Sequence, residues 1–166
     1  MRLSMCDPTH IFSSYVLCVC VNDEKTFAIR TAELLDLDVL LQLEAENWVE
    51  AMRHPAHILL AHISAQPPRI FVLEVSGQVV GSICTQRIDS IEDIDRVTWT
   101  TEDIIARTSG RVLHLLRVNT FRELAPTFEK GMAIGAILRD FCLLYARSCG
   151  FETVCAAARG AWLIRS

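Results

Sequence analysis

The spacing of apolar residues divides the chain from Thr26 onward into strands and helices. Runs typical of strands cover residues 27–30, 69–75, 78–87, 111–120 and 152–157. Apolar residues at helical spacing predict three helices. The predicted order is β-α-α-β-β-β-α-β, an α/β fold with a mixed (α+β) sheet. The strand-helix-strand unit at its end implies a parallel pair of strands with a right-handed crossover.

Capping and turn residues set the limits of these elements. Asp36 is the predicted N-cap of the first helix, and the second helix is predicted to begin at Pro55 and to end at Pro67-Pro68. The third helix, residues 133–149, is expected to stop at Gly150. Ser76-Gly77 predicts a tight hairpin. Residues 88–110 are polar and predict a surface excursion with a short helix near Thr100 and Asp103.

The first 25 residues are set apart from this pattern. Residues 11–21 form an apolar run that is too short to span a bilayer, and it fits either the centre of a secretory signal or an extra strand. We treat residues 1–25 as an N-terminal extension, residues 26–160 as one domain and residues 161–166 as a tail.

Composition narrows the classes of function. Of the 166 residues 51% are hydrophobic and 22% charged, so the chain can bury a core and disorder is excluded. The net charge is -4 and there is no Lys/Arg-rich run, which argues against a nucleic-acid partner. None of the seven cysteines forms a C-x-x-C pair, so buried free thiols in a reducing, cytoplasmic compartment are expected. No membrane association is predicted.

Glycines near the third helix are the main candidate for binding chemistry. The sequence Gly131-Met132-Ala133-Ile134-Gly135 follows the strand at 111–120 and opens the helix. Unpaired N–H groups at residues 132–136 favour a bound phosphate, and Lys130 adds positive charge. The alternative is that Gly-x-x-x-Gly only eases helix packing.

The spacing of histidines in the sequence gives little support for a metal site. His54, His57 and His62 share one helical region, but their spacing is not that of a zinc helix, and we expect no metal. Glu44 and Glu46 are interpreted as a solvated helix face.

The element order and the turn Phe128-Glu129-Lys130-Gly131-Met132-Ala133 resemble the GNAT acyltransferase superfamily over residues 27–158. Phe128 stands where that family has a polar residue. The resemblance implies acetyl-CoA or another acyl-CoA as substrate. Its pantetheine amides would pair with the main chain near Leu116 and Val118, and its pyrophosphate would lie on the turn and the helix start. The cofactor-binding residues implied are Leu116, Val118, Lys130, Gly131, Met132, Ala133 and Gly135.

Thr85-Gln86-Arg87-Ile88 together with Leu113-His114-Leu115-Leu116 is similar to the GNAT-like domains associated with polyketide synthases. That similarity implies Thr85 and His114 as catalytic residues that stabilise an enolate after loss of carbon dioxide from a malonyl group. The alternative is that Thr85 serves β-propensity and that His114 is bonded to a neighbour.

The family also implies a further helix and two strands beyond residue 157, so the fold is expected to lack its last helix and strands. The sheet edge at 152–157 would then be unpaired and covered by a partner chain or a second copy. The leading hypothesis is an N-acetyltransferase-type enzyme that transfers an acyl group to a small amine or a carrier-protein-bound acceptor. The alternatives are a malonyl-CoA decarboxylase and a non-catalytic docking module.

Overall fold

The fold is a seven-stranded sheet flanked by helices on both faces. In a computed structural model, residues 15–21, 25–96, 109–121, 134–158 and 161–165 are described. The strands, in chain order β1 to β7, are Tyr15–Val21, Lys25–Thr31, Ile70–Val75, Gln78–Ile88, Val112–Thr120, Thr153–Ala158 and Ala161–Arg165. They lie in the sheet in the same order, and all neighbours are antiparallel except β5 and β6, which are parallel.

The described residues form three α-helices, which pack on this sheet. They are α1 (Leu37–Asn47), α2 (Ala56–Ser64) and α3 (Ile134–Ser148), with 3-10 turns at Leu34–Asp36, Glu50–Met52 and Ile91–Arg96. The mixed sheet and the helices confirm the predicted fold class.

The hydrophobic core has a separate half on each face of the sheet. On one face, α3 contributes Leu138 and Phe141 to a buried group that includes Phe71, Ile83 and Leu113 of the sheet. On the other face, α1 and α2 contribute Leu40, Leu43 and Leu59, which pack on Val72 and Cys84. Strand side chains alternate between these halves, as expected for a sheet covered on both sides.

Two glycine signals in the sequence are confirmed. Ser76 and Gly77 both have positive φ, 50° and 81°, which is the type I′ geometry that matches the twist of a two-residue hairpin. Gly150 has φ 73° just after α3, and the N–H of Phe151 donates to the carbonyl of Ala146, 3.0 Å away. This main-chain bond closes the last turn of α3.

The ends of the sheet differ from the prediction. β1 shows that the N-terminal extension carries a strand, one of its two proposed interpretations. The expected unpaired edge at residues 152–157 is wrong, because β7 pairs with β6 from Ala158–Ala161 to Val154–Arg165. Residues 161–165 are therefore part of the sheet and not a tail.

The structure also bears on the predicted buried thiols and on the polar segment at residues 88–110. Cys84, Cys142 and Cys155 are buried free thiols, as predicted, whereas Cys149 is exposed. The short helix expected near Thr100 and Asp103 lies outside the described residues. No helix in the part of the chain that the structure describes has the length and apolar character needed to cross a bilayer.

Candidate functional site

A gap opens between β5 and β6, the two parallel strands. Their pairing runs from Val112–Thr153 to Leu115–Ala156 and stops there. β5 nevertheless continues to Thr120 and β6 to Ala158. Over residues 116–120, β5 therefore has no paired strand on its β6 side among the described residues, which leaves an open edge within the sheet.

A β-bulge lies where the opening begins. In the pairing of β4 with β5, Cys84 faces Arg117 and Thr85 faces Leu115, so Leu116 is an extra residue in β5. A bulge bends its strand and interrupts pairing, and bulges are frequent next to active sites. Leu116 and Arg117 both point toward α1, because Leu116 packs with the α1 core and Arg117 binds Glu44.

The main chain of Val118 faces the open edge. The N–H of Phe121 donates to Val80 in β4, so the main-chain groups of Thr120 point away from β4. Asn47 at the end of α1 meets them there: its Nδ2 lies 3.0 Å from the carbonyl oxygen of Thr120. By the same alternation, the N–H and C=O of Val118 point into the gap.

The first turn of α3 lies against this edge. Gly135, in that turn, faces Val118, since a Cβ on it would lie 3.9 Å from a Val118 methyl carbon, an ordinary van der Waals distance. Gly81 in β4 admits the same turn, since a Cβ there would lie 3.0 Å from Ile134 and 3.2 Å from Leu138. The start of α3 and the free main chain of β5 therefore adjoin at Gly135 and Val118.

The predicted phosphate turn precedes α3 in the sequence. Lys130, Gly131, Met132 and Ala133 lie outside the described residues, so their role stays a prediction. Leu116 and Val118 lie at the bulge and the open edge respectively.

Thr85 and His114, the two predicted catalytic residues, lie on opposite faces of the sheet. Thr85 pairs with Leu115, which packs on the α3 side, whereas His114 pairs with Gln86 on the other side. Thr85 is buried, and its hydroxyl donates to the carbonyl of Arg69 at 3.3 Å. Burial lowers the pKa of His114 to about 4, so its imidazole is neutral at pH 7.

A buried polar network on the α1 side holds the open edge. Glu44 is 2% exposed; its carboxylate accepts hydrogen bonds from Arg117 at 2.7 Å and from Asn119 at 2.8 Å. It also accepts the main-chain N–H of His54 at 2.8 Å. The expectation of a solvated face is therefore wrong for Glu44, whereas Glu46 is exposed.

The aromatic ring of Trp48 completes the network. Its indole N–H donates to Asn119 at 2.7 Å, and the guanidinium of Arg117 lies 4.5 Å from the centre of its ring. Arg117 also donates to the carbonyl of Met52 at 2.5 Å. Nearby, burial and the charge of Glu44 raise the pKa of the Cys84 thiol to about 12, so it carries no nucleophilic thiolate at pH 7.

Sequence reasoning missed this network, although one signal was present. Glu44 follows Leu37 by seven residues and Leu40 by four, so it falls on the apolar stripe of α1. A charged residue in such a stripe is buried only with partners. Ala45, the next residue and an apolar one, is exposed. The partners Arg117 and Asn119 lie in β5, so α1 alone does not reveal them.

Comparison with known proteins identifies the same architecture. No family model and no curated protein matches the chain. Among solved structures, the loading GNATL domain of CurA from Lyngbya majuscula is 31% identical over 80% of this chain and 64% of that chain, with a TM-score of 0.66. The GphF GNAT-like decarboxylase, solved with isobutyryl-CoA, is 28% identical over 77% and 64%, with a TM-score of 0.60.

More distant structures share the fold. The ribosomal-protein-S18-alanine N-acetyltransferase from Escherichia coli is 12% identical over 81% of this chain and 68% of that chain, with a TM-score of 0.56. The chain spans 64% of the length of the CurA and GphF structures. In sequence and in fold, the chain is therefore similar to GNAT-like structures.

Proposed function

We propose that the chain binds an acyl-coenzyme A in the gap between β5 and β6 and transfers the acyl group to an amine or a carrier-bound acceptor. The thioester's acyl carbon would form a bond to the acceptor nitrogen, and its bond to sulfur would break. Coenzyme A leaves as the thiol, with the proton that the nitrogen gives up. Positioning and an N–H donor to the thioester oxygen, from the main chain near Val118, supply the catalysis.

The open edge of β5 carries this proposal. An extended ligand with amide groups can add to a strand edge as another strand does, and the N–H and C=O of Val118 point into the gap. The first turn of α3 lies beside them, where unpaired N–H groups favour a phosphate. The GphF decarboxylase and an acetyltransferase from Brucella melitensis were solved with isobutyryl-CoA and acetyl-CoA respectively, which supports the same class of ligand here.

A thermal-shift titration with coenzyme A tests the proposal. A ligand that binds only the folded chain raises its melting temperature, so a shift that grows with concentration is expected. Gly135→Glu should remove the shift, because a carboxylate beside the phosphate site repels it. Ser148→Glu adds the same charge at the exposed far end of α3 and should leave the shift intact.

Two results would overturn acyl-coenzyme A binding at this place. The first is a wild-type protein that shows no shift at millimolar coenzyme A, which would favour the non-catalytic docking module. The second is an equal loss of the shift in Gly135→Glu and Ser148→Glu, which would show that the start of α3 has no special part.

Decarboxylation of a malonyl thioester is a second candidate. The CurA and GphF structures, a loading domain and a decarboxylase, reach 31% and 28% identity, whereas the E. coli acetyltransferase reaches 12%. In this reaction the bond from the carboxylate to the α-carbon breaks, carbon dioxide leaves, and the electron pair forms the thioester enolate. A proton from water then returns to the α-carbon. Thr85 would supply the hydroxyl that stabilises the enolate oxygen.

The thioester product separates the two reactions. Malonyl-coenzyme A incubated with the protein and no acceptor should give acetyl-coenzyme A by mass spectrometry if the chain decarboxylates. Thr85→Val keeps the shape of this buried side chain and removes its hydroxyl. Equal conversion by wild type and Thr85→Val would remove Thr85 from the mechanism, and His114→Gln tests the residue on the opposite face in the same way.

A further inference from the structure

The carboxylate of Glu44 is bound to the residues on both sides of Val118. Arg117 donates to one of its oxygens at 2.7 Å and Asn119 to the other at 2.8 Å. Both side chains point toward α1, whereas the Val118 side chain packs on the α3 side. Two anchors on alternate residues fix the strand on either side of the peptide groups of Val118.

The anchors are themselves rigidly held. Asn119 accepts the indole N–H of Trp48 at 2.7 Å, and Arg117 donates to the carbonyl of Met52 while stacking on Trp48. Glu44 is 2% exposed and Asn119 is 4% exposed, so water does not compete for the hydrogen bond between them. The network is thus a fixed support and not a mobile surface contact.

The bulge makes such a support necessary. Leu116 is an extra residue in β5, and β6 has already separated from β5 at this point. A bulged strand with one neighbour lacks the pairing that normally fixes the direction of its N–H and C=O groups. Side chains from α1 replace that pairing.

We propose that Glu44 is a positioning residue for the acyl-coenzyme A site: through Arg117 and Asn119 it fixes the direction of the Val118 peptide groups that receive the pantetheine amides. The inference rests on the proposed function and adds a residue from α1 that does not touch the ligand. It also predicts that the network affects binding of the pantetheine half of coenzyme A alone, because the nucleotide half would lie on the start of α3, away from the network.

Two probes, one for each half of coenzyme A, test this prediction in the Glu44→Gln variant. Gln has the same shape as Glu but no charge, so Arg117 loses its ionic partner. We expect the dissociation constant for phosphopantetheine, measured by calorimetry, to rise by about tenfold, since small misplacements of a positioned group have large effects. The dissociation constant for 3′-phosphoadenosine diphosphate should stay at the wild-type value.

Asp36→Asn is the matched control. It breaks another buried ion pair, that of Asp36 with Arg30 at 2.6 Å, which lies at the other end of α1. If the effect were only a general loss of stability, both variants would bind both probes more weakly, and that outcome overturns the proposal. Unchanged phosphopantetheine binding in Glu44→Gln overturns it equally. A wild-type protein that binds neither probe overturns the proposed function, and the inference with it.

A double variant keeps the test valid if Glu44→Gln does not fold. Glu44→Gln with Arg117→Met removes both charges, so no uncompensated charge is buried and folding is expected. This variant should also bind phosphopantetheine about tenfold more weakly, with the nucleotide probe unaffected. Wild-type affinity for phosphopantetheine in the double variant would contradict the role of Glu44.

Discussion

At the scale of single residues, a charged side chain in this protein is buried where it has hydrogen-bonding or ionic partners, and its position within an element does not decide this. Asp36 was predicted as the N-cap of α1 and does stand at that position. Its side chain makes no bond to the α1 main chain, however. It accepts two hydrogen bonds from Arg30, at 2.6 and 2.8 Å, and one from the main-chain N–H of Glu33 at 2.7 Å.

Asp36→Asn should therefore destabilise the fold. Burial opposes ionisation of Asp36, but the bonds from Arg30 and Glu33 outweigh it and lower its pKa below the ordinary value of 3.8. Breaking a buried pair usually costs about 3 kcal/mol or more, and Arg30 keeps Glu74 as a second partner, so we expect a loss of about 2 kcal/mol. Urea unfolding at neutral pH measures it.

The exposed Asp38, two residues further on, provides the comparison for Asp36. Asp38→Asn should change the unfolding free energy by less than about 0.5 kcal/mol. In the wild-type protein, Asp36 stabilises the fold at pH values above its unfolded pKa. This stabilisation is lost as the pH falls through its lower folded pKa. Equal stability of the two variants would show that the Arg30 pair contributes nothing.

At the scale of elements, the sequence predicted those whose limits are set locally. The hairpin at Ser76 and Gly77 and the end of α3 at Gly150 depend on positive φ, which the residue type itself indicates. The bulge at Leu116 and the burial of Glu44 depend on β4, β5 and α1 meeting in space. Their local sequence pattern is that of an ordinary strand and an ordinary amphipathic helix, so they were not predicted.

Contact of α3 with the sheet depends on two glycines that behave differently. A Cβ on Gly81 would lie 2.9 Å from the carbonyl oxygen of Asn119 and 3.0 Å from Ile134. Gly81→Ala should therefore push α3 from β4, destabilise the fold by about 1–3 kcal/mol and weaken coenzyme A binding. Urea unfolding and the thermal shift with coenzyme A measure the two effects.

Gly135→Ala is the control for Gly81→Ala. A Cβ on Gly135 would contact only a Val118 methyl group at 3.9 Å, an ordinary van der Waals distance. Alanine is preferred in helices, so this variant should gain about 0.5–1 kcal/mol and keep coenzyme A binding. A destabilised Gly135→Ala, or a Gly81→Ala as stable as wild type, would contradict this packing of α3 on the sheet.

At the scale of the whole molecule, the parallel pair β5 and β6 is what separates this sheet from a simple meander. Every other pair of neighbouring strands in the described part of the chain is antiparallel, and in this pair both strands continue beyond the end of their pairing. The pairing by strand-helix-strand crossover followed from the order of elements. The addition of β7 was missed, although Trp162 and Ile164 are residue types that are enriched in strands.

The stability of the whole molecule also depends on three buried, neutral histidines, of which His54 and His62 have ring centres 5.6 Å apart. Burial, then the charges of Arg117 and His62, lower the pKa of His54 to about 3. Burial, then Arg69 and Arg117, lower that of His62 to about 3, and burial lowers that of His114 to about 4. In the unfolded chain each has the ordinary pKa of 6.5.

The folded protein should consequently lose stability as the pH falls from about 6.5 to about 3. In this range the unfolded chain binds protons that the folded chain does not, so the free energy of unfolding falls with pH, by about 2 kcal/mol per histidine between pH 7 and pH 5. Three such losses approach the whole stability of a typical domain. Urea unfolding across this range measures the slope, and His62→Gln should reduce it by about a third, whereas His57→Gln, at an exposed position, should not. If the free energy of unfolding stayed constant from pH 7 to pH 5, these imidazoles would take up protons as readily in the folded protein as in the unfolded chain. The apolar contacts of α2 with the sheet would then have to accommodate charged groups.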